Sequence, residues 1–374
     1  MRLSEKHNNL RAAVRSVALA ELAPRAVEAD ETMAFPMEQF KALGKQNMLM
    51  VKYPKQYGAI YDDNLCGAIV AEETARECLS SSTTGLVQML SGDCIYKFGS
   101  EEQKMKYLPK LATGECIGCF ALTEPGTGSD AVSVSTTGED KGDYYLVNGT
   151  KTFITNAEFS DFIVAIVKTN PDRGARGMTA MILEKGQYRV SKHEDKMGMR
   201  ASNTCEVVIS DAKVPKANVL NKPGLGFLVA MGALDGGRIG AAAQCVGMMQ
   251  ALLDDSIAYA KKRVQFGKPL SAQQAIQWMI ADMAKDLTAA RLLTYHAAEL
   301  ADAGEPFASE AAMAKVFAAD AGMKHAVNAV QIQGAYGYSK PSRVERIMRD
   351  IKLLAIYEGT SEVQRMVISA NTMK

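Results

Sequence analysis

The stretch Tyr144–Thr155, YYLVNGTKTFIT, decides how the rest of the chain divides. It is rich in aromatic and β-branched residues, a composition that favours a pleated strand over a helix. A type I′ turn needs positive φ at both central residues, so Asn148-Gly149 predicts a β-hairpin joining residues 144–147 to residues 151–155. Short runs of the same kind recur at residues 161–168, 178–183 and 205–209, separated by Gly, Asn and Asp. They predict a mostly antiparallel β domain over residues 114–222.

On both sides of that region the period changes. Leu10, Val14, Val17 and Leu22 recur every three to five residues, and Pro36, Pro54 and Gly58 punctuate the segment after them. This is a helical pattern with breaks, and it predicts an all-α domain over residues 1–113. Beyond Gly226 the helical period returns, with Ile276, Met279, Ile280, Met283, Leu287 and Ala290 tracing one apolar stripe. A four-helix-bundle-like α domain is expected over residues 223–374. The fold class expected is therefore α+β multidomain, in the order α, β, α. No fixed-period repeat or low-complexity tract interrupts it.

A chain of 374 residues exceeds what one core usually organises, which agrees with three subdomains. Hydrophobic residues at 47% and charged residues at 23% exclude a disordered or fibrous class. Lys and Arg total 43 against 42 Asp and Glu, so no global field attracts nucleic acid or an anionic membrane. Apolar runs fall far short of the roughly 20 residues that span a bilayer, so no membrane insertion is expected. Arg2, Glu5, Lys6 and His7 stand near the N-terminus with no apolar stretch behind them. Seven cysteines make an odd count, and both features lead us to expect a cytoplasmic, reducing environment.

Cys116 and Cys119 have the Cys-x-x-Cys spacing of a zinc or thiol-redox site, but no second pair or neighbouring His-x-His completes one. No metal is expected. His7, His193, His296 and His325 are scattered, which disfavours a hydrolytic triad. The loop Thr123-Glu124-Pro125-Gly126-Thr127-Gly128-Ser129-Asp130 offers backbone N–H groups and hydroxyls to a ligand, and reads equally well as a surface turn. It is neither a dinucleotide fingerprint nor a Walker loop. Near the C-terminus, Ile356-Tyr357-Glu358-Gly359-Thr360-Ser361-Glu362 sets a carboxylate among apolar and small residues. Glu358 is a candidate base there. Pairing with Arg349, Arg365 or another cation is an equal reading on residue chemistry alone.

Taken together these segments resemble the acyl-CoA dehydrogenase family over nearly the whole chain, closest to its short-chain, butyryl-CoA dehydrogenase-like branch. Ala121-Leu122-Thr123-Glu124-Pro125-Gly126-Thr127-Gly128-Ser129-Asp130 looks like the family's first signature. Lys151-Thr152-Phe153-Ile154-Thr155-Asn156 resembles its flavin-facing strand. Leu234-Asp235-Gly236-Gly237-Arg238 resembles the helix that meets acyl-CoA, and Arg263-Val264-Gln265-Phe266-Gly267 the segment that reaches a neighbouring subunit's FAD. Gln331-Ile332-Gln333-Gly334-Ala335-Tyr336-Gly337 looks like the second signature, departing from it at Ala335, where glycine is usual.

The resemblance implies FAD as cofactor. Phe120, Leu122, Thr123, Phe153 and Thr155 would touch its ring and Ser129 would approach the CoA side. Arg263, Gln265, Phe266, Gln331 and Gly334 would hold the adenine and diphosphate half, with Thr360 and Glu362 in the same cofactor loop. Asp235 and Arg238, with Tyr357 and Gly359, would meet the substrate. Family branches carry the base either in the Tyr-Glu-Gly-Thr segment or on the helix just before the arginine. That second place is Gly237 here, so Glu358 is the candidate that remains.

By the same resemblance, Glu358 would remove the α-proton of an acyl-CoA thioester while a hydride leaves the β-carbon for the flavin, giving a trans-2-enoyl-CoA. An enoyl-CoA reductase running this chemistry backwards is the nearest rival. An acyl-CoA oxidase is generally a longer chain. A metal or thiol-redox binding protein built on Cys116 and Cys119 is the rival of another class. Electron-transferring flavoprotein as redox partner and a homotetramer are further expectations. The loop Gly58-Ala59-Ile60-Tyr61-Asp62-Asp63 is bulkier than relatives tend to have, and Ile60 and Tyr61 are expected to bear on the acyl end.

Overall fold

The computed structural model describes residues 2–340 and 342–374; Met1, where the first expected domain begins, and Pro341 lie outside it. The N-terminal part is helical: α1 (Glu5–Val17), α2 (Ala26–Thr32), α3 (Met37–Lys45), α4 (Asn64–Ala75), α5 (Leu79–Phe98) and α6 (Glu101–Thr113). Pro36 and Pro54 stand at helix starts, as their fixed φ favours. Helix α5 is buried almost all round, so it serves as the central post of the molecule rather than as an amphipathic cover. A capping box opens α6, Ser100 and Gln103 satisfying each other's backbone N–H groups.

A seven-stranded sheet comes next, built from β1 (Gly118–Ala121), β2 (Thr137–Asp140), β3 (Tyr144–Thr155), β4 (Phe162–Lys168), β5 (Met178–Glu184), β6 (Arg189–His193) and β7 (Thr204–Pro215). Most pairs are antiparallel, but β4 runs parallel to β1 and touches β2 in parallel. β4 and β5 are buried on both faces, which explains their unbroken apolar runs.

The expected hairpin at Asn148-Gly149 is not formed. Residues 144–155 make one long strand, and the pair sits at a register shift where β3 meets β7. Asp211 on β7 takes a φ of 47°; its backbone N–H donates to the Asn148 side chain at 2.7 Å, and Asn148 Nδ2 donates to its carboxylate at 3.1 Å. A β-carbon on Gly149 would stand 2.3 Å from Thr136 Oγ1. The dipeptide thus serves close strand approach in a β-bulge, not chain reversal.

The remainder is helical apart from the small β8 (Val264–Gln265) and β9 (Lys268–Pro269) ribbon. It comprises α7 (Gly226–Lys262), α8 (Gln274–Asp302), α9 (Ala308–Gln333), α10 (Ala335–Tyr338), α11 (Arg343–Ile351) and α12 (Ser361–Thr372). The 37 residues of α7 run about 56 Å, and along that length it packs against α4, α5, α8 and α9. Along the expected stripe of α8, Met283, Leu287 and Ala290 are buried, and Ile276, Met279 and Ile280 pack partly buried against the same core. Among the described residues no helix is long and apolar enough to cross a membrane.

Candidate active site

Tyr357, Glu358 and Gly359 occupy the link between a short turn at Lys352–Ala355 and helix α12, whose first N–H groups are capped by Thr360. Glu358 and Gly359 both have left-handed backbones, at φ 55° and 86°. For glutamate that conformation costs on the order of 1–3 kcal/mol, so the surroundings must impose it. They do so through two buried side chains. Gln364 Nε2 donates to the carbonyls of Glu358 (3.0 Å) and Gly359 (2.8 Å), and Lys315 Nζ on α9 donates to the Gly359 carbonyl at 2.6 Å.

Held this way, the Glu358 side chain points at α7. A β-carbon on Gly237 would stand 2.4 Å from Glu358 Oε2, so the carboxylate fills the space a side chain there would need. Oε2 is shielded from solvent and has no hydrogen-bond partner among the described residues. Burial pushes the carboxyl up to about 7, while Arg238 and then Lys315 pull the other way. Arg238 is itself buried and paired with Asp235 at 2.6 Å. Neither Arg349 nor Arg365 pairs with Glu358: Arg349 pairs with Asp30 and Glu345, and Arg365 with Asp320.

The loop is tied to the post of the fold. Tyr357 donates its hydroxyl to Gln244 Oε1 at 2.5 Å, and Gln244 Nε2 reaches Ser82 (3.1 Å) and Thr83 (3.3 Å) on α5. One residue on, the Thr84 carbonyl accepts from Asn156 at the end of β3 (3.1 Å). Helix α5 therefore fixes the Glu358 loop and the end of β3 in one frame. A narrow cavity opens beside Gly237, lined by α4, α5 and α7 together with Lys52. Neither Ile60 nor Tyr61 lines it: Ile60 is exposed and Tyr61 packs against the N-terminal core.

On the sheet side, Phe120 lies in β1, Leu122 and Thr123 come directly after it, and Phe153 and Thr155 are in β3. The Thr123 carbonyl accepts from Thr152 N–H, joining the two segments. Beneath them Lys151 is wholly buried and donates to Glu124 (2.8 Å) and to the carbonyls of Leu122 (3.1 Å) and Ile166 (2.6 Å). Burial brings Lys151 down to about 8; its charge and hydrogen bonds, with those of Ser135 and Thr136, hold Glu124 at about 2 despite its own burial. This pair pins the glycine-rich loop to the strand.

Phe153 sits at the second bulge of β3 with φ 57°, and 61% of it is exposed. A bulky residue is uncommon in that backbone region. β-Carbons on Gly126 and Gly128 would meet nothing within 4 Å, which leaves the loop open on the side where Ser129 is exposed.

Arg263, Gln265 and Phe266 lie on the exposed β8–β9 ribbon; Phe266 has φ 52° and is 96% exposed. Gln331 and Gly334 end α9 at the surface, with Ala335 starting the next short helix, and Glu362 is exposed on α12. Among the described residues none of these shares a hydrogen bond or ion pair with Glu358. Cys116 and Cys119 are buried thiols pushed up to about 12 by desolvation, which makes them poor nucleophiles. Lys315, Gln244 and Gln364 are not legible in the sequence; each acts on the loop from 6 to 113 residues away and carries no motif.

The family models for the N-terminal, middle and C-terminal domains of acyl-CoA dehydrogenase match residues 4–115, 119–212 and 224–373. The chain is 43% identical to a short-chain specific acyl-CoA dehydrogenase of Clostridium acetobutylicum, covering 100% of this chain and 99% of that one. It is also 43% identical to a 3-(aryl)acrylate reductase of Clostridium sporogenes, with full coverage of both. Its fold superposes on the butyryl-CoA dehydrogenase of Megasphaera elsdenii with a TM-score of 0.98, at 38% identity and full coverage of both chains.

Proposed function

The chain belongs to the acyl-CoA dehydrogenase family, and on that footing we propose that it interconverts a short-chain acyl-CoA and its trans-2-enoyl-CoA, with Glu358 as the base. The observation that carries this is the shielded, unpartnered Glu358 Oε2 beside a cavity on α7.

An α-hydrogen of a thioester is a weak acid, and a carboxylate removes it effectively only when desolvated and when the developing enolate oxygen meets donors. Burial has raised the Glu358 carboxyl to about 7, close to a working pH, so it is available both to take a proton and to return one. Its own backbone N–H is fixed by the left-handed turn that Gln364 and Lys315 enforce, and would serve as one such donor. Arg238 and Asp235 would receive the CoA arm.

The family's members are flavoproteins, and the exposed Phe153 and the open glycine loop fit a flavin. Phe120, Leu122, Thr123, Phe153 and Thr155 would face its ring. Arg263, Gln265, Phe266, Gln331, Gly334, Thr360 and Glu362 would hold the rest of FAD, the ribbon residues from a neighbouring subunit of a homotetramer. When bound, FAD supplies the acceptor for the β-hydride. Electron-transferring flavoprotein would exchange electrons with it.

The reverse reaction, enoyl-CoA reduction, stands as a second reading on one observation: a relative named as a reductase, of 3-(aryl)acrylate, is as similar to this chain as the short-chain dehydrogenase. Anaerobic titration of the yellow enzyme tests both. Bleaching by butyryl-CoA supports dehydrogenation; no bleaching by any saturated thioester, with reoxidation of the reduced enzyme by crotonyl-CoA, supports reduction; neither response refutes the assignment.

A further inference from the structure

The two adjacent glycines of α7 face different partners. A β-carbon on Gly237 would meet Glu358 Oε2, whereas one on Gly236 would stand 2.7 Å from Asp93 Oδ2 and 3.4 Å from Lys52 Nζ. The carboxylate and an ion pair thus lie one residue apart along the same helix, and both Lys52 and Asp93 line the cavity there. Lys52 Nζ donates to Asp93 Oδ2 at 2.6 Å, and the Tyr53 hydroxyl donates to Asp93 Oδ1 at 2.6 Å. Both acceptors of Asp93 are therefore engaged.

Lys52 is not saturated. An ammonium has three donors, and only the one to Asp93 is used among the described residues, although the side chain is just 10% exposed. Its stem lies on Gly67, with Cδ 3.7 Å from where a β-carbon would be, so the group is held in place from α4 as well. The rest of the wall includes Ala68, Leu86, Met89, Leu90 and Ile239, all apolar. A saturated hydrocarbon tail reaching Lys52 would finish the desolvation of a cation and return no hydrogen bond, which is unfavourable. A tail carrying an acceptor would return one.

We propose that Lys52 and Asp93 form the specificity-determining floor of the acyl cavity and select a short acyl chain whose distal end carries a hydrogen-bond acceptor, a hydroxyl or a carboxylate. The proposal rests on the acyl-CoA reading of the Glu358 site. Asp93 holds the ammonium in place, and Gly236 leaves the approach to it open.

The experiment is anaerobic single-turnover reduction of the flavin by butyryl-CoA, hexanoyl-CoA, 4-hydroxybutyryl-CoA and succinyl-CoA, in wild type and two variants. Wild type is expected to react with one of the two acceptor-bearing thioesters about tenfold or more faster, per unit concentration, than with butyryl-CoA. Lys52→Gln, which keeps a donor, should retain that preference at least for 4-hydroxybutyryl-CoA. The double variant Lys52→Met/Asp93→Leu should lose it and gain on hexanoyl-CoA. An unchanged order of preference in the double variant, or a wild type that prefers hexanoyl-CoA, would overturn the floor while leaving the Glu358 site standing. Flavin that responds to no thioester or enoyl thioester would overturn both. Should the double variant fold poorly, Lys52→Met alone decides: loss of the preference decides for the proposal and its retention decides against it.

Discussion

Glu358 Oε2 occupies the space in which a side chain on Gly237 would stand: a β-carbon there lies 2.4 Å away. The two positions at which the family resemblance puts a base, the loop before α12 and the helix α7, thus meet at one point, and here the carboxylate from the loop fills it. The missing side chain at Gly237 is a condition for the Glu358 conformation, not an independent gap.

Gly237→Ala tests that relationship. The added methyl must displace the carboxylate, and misplacement of a reacting group by about 1 Å lowers rates by about 10²-fold. The rate of flavin reduction by butyryl-CoA should fall by about that factor while flavin content is unchanged. An undiminished rate would mean that the carboxylate does not act from this position.

The pH dependence is set by the raised Glu358 carboxyl. A base must be ionised to work, so the rate of α-proton removal by the free enzyme should rise with pH through about 7, well above an ordinary glutamate. Lys315 favours the ionised form, so Lys315→Met should move the rising limb to higher pH. A limb near the ordinary carboxylate range, or a shift to lower pH in the variant, would contradict the electrostatics described for the site.

Phe153 separates folding from binding. Its left-handed backbone carries strain of order 1 kcal/mol that glycine would not, so Phe153→Gly should leave the stability of the flavin-free protein unchanged or higher. The same change removes the exposed ring assigned to the cofactor, so flavin retained through gel filtration should drop. A loss of apoprotein stability with full flavin retention would assign Phe153 a packing role.

How far the sequence discloses this molecule depends on the range of the interaction. The switch from a helical to a strand period, and back, shows in local composition, and the sheet and flanking helices obey it. Asn148-Gly149 misleads because its meaning is set by Asp211, Thr136 and the strand opposite, none of them near in sequence. Glu358 is legible as a candidate but not as a base: its electrostatic state depends on Arg238 and Lys315, and its backbone on Gln364 and Lys315. Lys52 and Asp93 are invisible as a pair because their meeting requires α5, α7 and the segment before α4 to be in place. Local turn and strand chemistry reads from residues; a desolvated charge reads only from the fold.

The central claim is that Glu358 exchanges the α-proton. The most direct measurement is Glu358→Gln, nearly isosteric and without a base, mixed anaerobically with butyryl-CoA while flavin absorbance is monitored. Retained flavin with reduction slowed by at least about 10³-fold is the predicted result. Reduction at near wild-type rate would contradict the assignment of the base.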